Sequence, residues 1–317
     1  MNTRGKHGFL PQILELWSVR YGGNTVGTVL MIIASLTNAA MMASVKELSQ
    51  TYPIWQILLM RSLGQSTMLL PIIINSHGNV LKSNRISFQF LRIVFSFISL
   101  MAAFYTVAHL PLAEASAISF LRIIFVVALA GVIFADRVGA IGWAATVIGL
   151  AGILIMLDPT AKEINAAALV GAAGALVTAI VTIMVKRLTQ IDATSTIMCY
   201  SSFGLLVLCA IPSAITWVPI TWVSVPTFIL LIANAFITQW CFTNSYRHGE
   251  ASVMATIEYS RLIAAALLGF IVFAEFPTPE ALVGMTLIIT ASLIAIQRDK
   301  IRSWLLRKRA SSKDLHI

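Results

Sequence analysis

Charged residues are scarce in this chain of 317 residues: Asp, Glu, Lys and Arg make up 11% of it, whereas hydrophobic residues make up 58%. A soluble domain of this composition would expose large apolar patches to water. The composition therefore excludes a soluble protein and predicts a lipid bilayer as the partner of most of the chain. The net charge of +9 does not indicate nucleic-acid binding, because the basic residues are dispersed in short connectors and at the termini.

Cysteine is rare in this chain, and the motifs of common enzyme classes are absent. The three cysteines, Cys199, Cys209 and Cys241, lie inside apolar runs and have no CxxC spacing, so neither a disulfide framework nor a metal site is expected, and no cofactor. HExxH, GxSxG and aspartate-rich motifs are absent, which argues against a membrane enzyme. Without a GxxxxGK[ST] loop, this chain alone cannot be an ATP-driven pump.

Long apolar runs dominate what is present. Each is close to the roughly 20 residues that a helix needs to cross about 30 Å of hydrocarbon. Backbone groups in lipid must be hydrogen-bonded internally, which favours helices over strands. The sequence therefore predicts an all-α integral membrane protein with ten transmembrane helices at 27–45, 54–74, 88–108, 114–134, 140–157, 166–185, 195–215, 222–245, 251–274 and 280–297.

The distribution of basic residues predicts the orientation. If the N-terminus is cytoplasmic, only two of the 22 lysines and arginines, Lys46 and Lys162, lie on the outer side. Four arginines fall within predicted spans, and all the others lie on the inner side. This asymmetry follows the positive-inside rule. Both termini are therefore predicted to be cytoplasmic.

The two halves of the chain are related. A shift of 139 residues places the segment SFLRIIFVVALAGVIFAD (119–136) on EYSRLIAAALLGFIVFAE (258–275), with Arg122 on Arg261 and Asp136 on Glu275. Each half has five spans, so the second enters the membrane from the opposite side, which is an inverted repeat typical of secondary transporters. The predicted organisation is a cytoplasmic or interfacial segment at 1–26 with no cleavable signal peptide, a first five-helix repeat at 27–157, an external linker at 158–165, a second repeat at 166–297 and a basic cytoplasmic tail at 298–317.

Several motifs match a known family. They are Arg92 at the start of the third span, AFYTVAHLPLAEASAISFL (103–121), FADRVGAIGW (134–143), SYRHGEASVMATIEYSRL (245–262) and FAEFPTPEALVGMTLI (273–288). With these motifs the chain resembles the EamA-type members of the drug/metabolite transporter superfamily. The resemblance covers roughly 27–297 and implies a ten-helix bacterial permease of two inverted repeats. It identifies fold and transport class better than substrate, and the arginines at 122 and 261 depart from the common pattern.

Arg122 and Arg261 are the leading candidates for substrate binding. Each lies roughly 13–17 Å into its span, where a charge costs at least ~2.5–3.5 kcal/mol and should face a cavity or a partner. They could bind a carboxylate, phosphate or sulfonate of the substrate, or they could be neutralised by protein carboxylates. Glu258 lies three residues before Arg261, whereas Arg122 has no carboxylate within one turn. We therefore expect Arg122 to bind substrate charge and Arg261 to pair with Glu258.

Other polar residues in the spans have two interpretations. Glu258 is a static counter-charge, a proton carrier or a partner of a substrate amine, and Tyr259 either lines the same cavity or packs. Arg92 is expected to anchor its helix by reaching the headgroups, and Glu275 to contact a basic residue or act as a gate latch. Further candidates, which either line a pore or hold helices together by hydrogen bonds, are Arg61, Asn38, Gln239 and Trp240.

These observations predict a secondary transporter working by alternating access. The substrate is a small organic metabolite with an anionic or zwitterionic group, and the chain is a multi-pass protein of the inner (plasma) membrane. A channel-like facilitator is the main alternative, followed by an integral-membrane enzyme. The direction of transport, the coupling ion and the oligomeric state are not given by the sequence.

Overall fold

The computed structural model describes residues 23–75, 83, 85–133, 139–156, 165–188, 191–192, 194–248, 257–258, 260–291 and 293–294. Within these ranges the chain forms helices and no strand. The helices are α1 (Gly23–Ser49), α2 (Ile54–Asn75), α3 (Ile86–His109), α4 (Leu112–Ser119), α5 (Leu121–Ile133), α6 (Gly139–Met156), α7 (Ala166–Leu188), α8 (Thr194–Ile215), α9 (Val225–His248), α10 (Ser260–Phe273) and α11 (Pro279–Ala291).

The all-helical prediction agrees with the structure in the described part of the chain. Five helices there, α1, α3, α7, α8 and α9, are long and apolar enough to cross a membrane, and α10 and α11 are shorter apolar helices. Residues 1–22, 158–164 and 298–317 lie outside the described residues, so the predictions for the N-terminal segment, the linker and the basic tail remain predictions.

Helix packing is similar when the two halves of the chain are exchanged. α1 packs along α9, and α7, which opens the second half, packs along α3. In the same way, α1 contacts α10, and its counterpart α7 contacts α4 and α5. Likewise α2 contacts α9, and its counterpart α8 contacts α3. In addition, α2 contacts α8 and α4 contacts α10, and each of these contacts joins corresponding helices. The core therefore lies between the halves, with each half packed against the other.

The predicted span at 114–134 is not one regular helix. A tight turn at Phe120 separates α4 from α5: Phe120 N–H donates to Ala117 O at 3.0 Å, and Ile123 N–H donates to Phe120 O at 2.9 Å. The Ser119 hydroxyl donates to Ser116 O at 2.6 Å and so competes for a backbone acceptor of the helix. Such short 3₁₀ segments inside helices often mark functional positions.

The corresponding point in the second half also has a backbone hydrogen bond between residues three apart. α10 begins at Ser260, and Arg261 N–H donates to the carbonyl oxygen of Glu258 at 3.0 Å. Both arginines of the repeat therefore follow directly after a tight turn. The turn places each guanidinium at the start of a helix segment within the bundle.

The crossing of α3 and α7 depends on a glycine. A methyl group at Gly174 would lie 2.6 Å from the Cβ atom of Ala102, which is rigid and cannot move aside. We expect Gly174→Ala to destabilise the protein by about 1–3 kcal/mol through overpacking, which outweighs the ~1 kcal/mol gain in helix propensity. The measurement is the melting temperature of the purified protein in detergent.

The matched control transfers the methyl group across the interface. In the double variant Gly174→Ala with Ala102→Gly, the space at the crossing is restored, so the melting temperature should recover most of the loss. A Gly174→Ala variant at least as stable as the unchanged protein would contradict this account of the crossing.

Candidate functional site

A central cavity of about 290 Å³ lies inside the helix bundle. Its wall is formed by residues of α1, α2, α3, α4, α5, α7, α9 and α10. Five residues that the sequence singled out line it: Asn38, Arg61, Arg122, Gln239 and Arg261. The rest of the lining includes hydroxyl groups and small residues, among them Ser99, Thr106, Ser116, Ser119, Gly171, Gly174 and Thr178. No aspartate or glutamate is found in the described lining of this cavity.

Glu258 pairs with both arginines of the repeat. The Nη2 atom of Arg122 donates to Oε1 of Glu258 at 3.0 Å, and Nη1 of Arg261 lies 3.6 Å from the same oxygen. Glu258 is only 4% exposed. At this depth, a carboxylate needs such partners to offset the loss of its hydration.

Arg261 has further contacts with the first half of the chain. Its Nη2 atom donates to the Ser119 hydroxyl at 2.7 Å, and its guanidinium carbon lies 4.6 Å from the centre of the Phe120 ring. This position is typical of a cation–π contact. Arg261 is therefore held by a carboxylate, a hydroxyl and an aromatic face.

The contacts of the two arginines are exchanged between the halves. The shift of 139 residues that places Arg122 on Arg261 also places Ser119 on Glu258. Each arginine thus binds the residue three positions before the other arginine. The sequence has no carboxylate within one turn of Arg122, but Glu258 reaches Arg122 from the second half and lies closer to it than to Arg261. Sequence distance along one helix could not show a partner from another helix.

Ser119 and Phe120 were not among the predicted site residues. The sequence repeat pointed to both residues, since Ser119 aligns with Glu258 and Phe120 aligns with Tyr259. Tyr259 lies outside the described residues. Treating the aligned positions as candidates in both halves would have identified Ser119 and Phe120.

Two smaller cavities adjoin the central one. The first, of about 150 Å³, is lined by Asn38, Arg122, Glu258 and Arg261 among others, and we call it the Glu258 cavity. The second, of about 260 Å³, has four serines in its wall, Ser96, Ser99, Ser201 and Ser202, and we call it the serine-lined cavity. Gln239 lines all three cavities. Its predicted position at a polar lining agrees with the structure.

Trp240 lies on a different face of α9. It packs against an apolar cluster that includes Val26, Leu30 and Met31 of α1, and it is not among the residues lining the three cavities. The reason is the helical period: one residue after Gln239, the side chain is rotated by about 100°. This position favours the packing interpretation of Trp240 over the lining interpretation.

Arg92 and Arg61 differ in their partners. Arg92 is 3% exposed, and its guanidinium donates to Gln89 Oε1 at 3.3 Å and to the backbone oxygen of Ile197 at 3.2 Å. It therefore joins α3 to α8 inside the protein, whereas the sequence predicted that it reaches the headgroups. Arg61 lines the central and serine-lined cavities, and its buried Nε atom has no hydrogen-bond partner among the described residues.

An ion pair joins three segments at one end of the bundle. Lys46, at the end of α1, pairs with Glu275, which follows α10. Lys46 Nζ also donates to the backbone oxygen of Leu110 at 2.6 Å, and Leu112 N–H donates to Oε2 of Glu275 at 2.8 Å. The prediction that Glu275 contacts a basic residue agrees with this geometry. We call these four residues the latch.

The backbone before Glu275 has an unusual conformation. Ala274 has φ of 52°, in the left-handed region that disfavours residues with a Cβ atom. Its N–H donates to Phe270 O at 3.1 Å, and the turn ends α10. The chain therefore reverses sharply there and directs the Glu275 carboxylate towards Leu112 and Lys46.

Comparison with known proteins identifies the class of this chain. Residues 25–158 match the EamA-like transporter family. The pseudopaline exporter CntI of Pseudomonas aeruginosa is 27% identical over 86% of this chain and 96% of its own length. The S-adenosylmethionine uptake transporter of Rickettsia bellii is 24% identical over 86% and 92%, and the riboflavin transporter of Vibrio cholerae is 25% identical over 70% and 76%.

A solved crystal structure also has a similar fold. It aligns with a TM-score of 0.60 at 16% identity, over 86% of this chain and 96% of that chain. At this identity the likeness concerns the fold alone. The predicted resemblance and the transporter class are confirmed by the family match and the named relatives, which are transporters and not enzymes.

Proposed function

We propose that this chain, whose residues 25–158 match the EamA-like transporter family, is a secondary transporter for small organic metabolites with an anionic or zwitterionic group. The chain is a multi-pass inner-membrane protein, and its relatives move small metabolites across membranes in either direction: one is named an exporter and another an uptake transporter. The relatives therefore support the transport class without deciding the direction.

The observation that carries this proposal is the charge of the central cavity. Three arginines, Arg61, Arg122 and Arg261, line it, and Glu258 is the one carboxylate bound to them among the described residues. Positive charge therefore exceeds negative charge in a region shielded from water. Because electrostatic interactions are strong there, a carboxylate or phosphate of a ligand would be favoured. Glu258 adds an acceptor for an ammonium group.

We further propose the topology that the sequence predicts: ten spans as two five-helix inverted repeats, at 27–157 and 166–297, with both termini cytoplasmic. The paired helix contacts and the exchanged contacts of Arg122 and Arg261 support it. In this topology the latch lies on the outer side, since Lys46 is on the outer side. Alternating access would then require the latch to break when the outer side opens.

A binding screen tests the substrate class. The purified protein is heated in detergent with single amino acids, organic acids, nucleosides and organic cations, and its melting temperature is recorded. We expect acids or zwitterions to raise the melting temperature. Arg122→Gln should lose that increase, because it removes one guanidinium of the cavity. Stabilisation only by cations that lack an acidic group would contradict the proposal.

Counterflow with the stabilising compound tests the transport mode. Proteoliposomes loaded with the unlabelled compound should take up the labelled compound faster than empty ones, as a carrier does. An equal rate in loaded and empty vesicles would favour a channel-like facilitator instead.

A further inference from the structure

Four arginines lie within the predicted spans, and three of them have acceptors among the described residues. Arg122 and Arg261 share Glu258, and Arg92 donates to Gln89 and to the Ile197 carbonyl. Arg61 differs, because it forms no ion pair with a described residue and its buried Nε atom makes no hydrogen bond. A charge without a partner inside a bundle is costly. An anion from outside the chain or enclosed water would offset this cost.

The surroundings of Arg61 are suited to an anion. Arg61 lines both the serine-lined cavity and the central cavity. The serine-lined cavity contains Gln65 and the hydroxyls of Ser96 and Ser202 as further hydrogen-bond donors, whereas the Ser99 and Ser201 hydroxyls already donate to backbone oxygens. No aspartate or glutamate is found in its described lining, whereas both Arg61 and Arg92 are. Hydroxyls, an amide and two guanidinium groups together form a site for a carboxylate or phosphate.

The two charged regions are joined through Gln239. This residue lines the Glu258 cavity, the central cavity and the serine-lined cavity, with Arg122 and Arg261 towards one end and Arg61 towards the other. We propose that Arg61 forms a second anion subsite, so that the transported substrate is an elongated metabolite with an acidic group at each end. This inference rests on the proposed function, in which the cluster of Arg122, Glu258 and Arg261 binds the first acidic or zwitterionic end.

Matched pairs of amino acids test the second subsite. Norvaline and glutamate have the same chain length and differ in the distal carboxylate, and so do norleucine and 2-aminoadipate. Binding of all four to the purified full-length protein is measured by calorimetry. We expect at least one dicarboxylate to bind about tenfold or more tightly than its partner. This is the gain in affinity that a hydrogen bond to a charged group provides.

Arg61→Gln should remove this preference and bring the ratio of dissociation constants within each pair close to one. Its melting temperature is measured beside that of the unchanged protein to establish that it folds. Arg61→Lys keeps the charge and should retain part of the preference.

The outcomes separate the two proposals. If the paired amino acids bind but show no preference, or the preference persists in Arg61→Gln, the second subsite is overturned and the proposed function stands. If norvaline or norleucine binding requires chloride and weakens in gluconate buffer only when Arg61 is present, the subsite belongs to a free anion, which also overturns the two-ended substrate. If none of the four binds the unchanged protein, the zwitterion-binding function fails and the second subsite with it.

Discussion

Replacing Glu258 with glutamine is expected to lower stability by about 3 kcal/mol and transport by at least tenfold. The substitution removes the carboxylate that Arg122 contacts at 3.0 Å and Arg261 at 3.6 Å. Breaking a buried pair leaves an uncompensated charge, which costs ~3–5 kcal/mol, and here two cations are left facing each other. Transport falls because the two guanidinium groups lose the acceptor that fixes their positions.

The double variant Glu258→Gln with Arg122→Gln separates the two effects. It removes one of the two cations that glutamine leaves without a carboxylate, while Arg261 keeps its contacts with Ser119 and Phe120. The melting temperature should therefore recover most of the loss. Transport should stay low, because one of the substrate-binding groups is gone. A Glu258→Gln variant with unchanged melting temperature, or a double variant less stable than the single one, would contradict a charge-balancing role of Glu258.

Exchanging the charges of the latch, with Lys46→Glu and Glu275→Lys in one chain, is expected to leave transport about as low as either single substitution. Each side chain also binds a backbone group: Lys46 donates to Leu110 O and Glu275 accepts from Leu112 N–H. After the exchange, a carboxylate faces a carbonyl oxygen and an ammonium group faces an N–H. Both backbone contacts are therefore lost although the ion pair can re-form.

The size of this effect follows from hydrogen bonds to charged groups, which contribute ~1.5–3 kcal/mol each. Loss of that stabilisation lowers the population of the state with a closed latch by about tenfold to a hundredfold. Transport is measured in proteoliposomes with the compound found by the binding screen. Lys46→Arg keeps a donor and should retain most of the activity. Recovery of transport in the exchanged variant would show that charge alone matters.

The sequence predicted the helical architecture from simple constraints. Apolar runs of membrane-spanning length admit little other than helices, and the family match confirms the class. What it did not predict is the tight turn at Phe120. No proline or glycine stands there, and at the turn the Ser119 hydroxyl donates to the backbone oxygen of Ser116. Local competition of this kind is small in energy and leaves no pattern in hydropathy.

The site was predicted in part, for a similar reason. The free-energy cost of a charge in lipid indicated that Arg61, Arg122 and Arg261 face the interior, because this cost applies whichever helix carries the charge. The partners could not be derived in this way. Glu258 was assigned to Arg261 by its spacing of three residues, yet its closer contact is with Arg122 across the interface. Pairing between helices depends on tertiary packing, which spacing along one helix does not contain.

The exchanged contacts of the two arginines also have a consequence for biosynthesis. Arg122 is translated 136 residues before the carboxylate that binds it. During insertion, the first half therefore has a membrane-embedded cation without its counter-charge, which is unfavourable. Because domains form from the N-terminal end as they are made, we expect the first half to stay incompletely packed until the span containing Glu258 has entered the bilayer. The two repeats are related in sequence, but they complete their folding together.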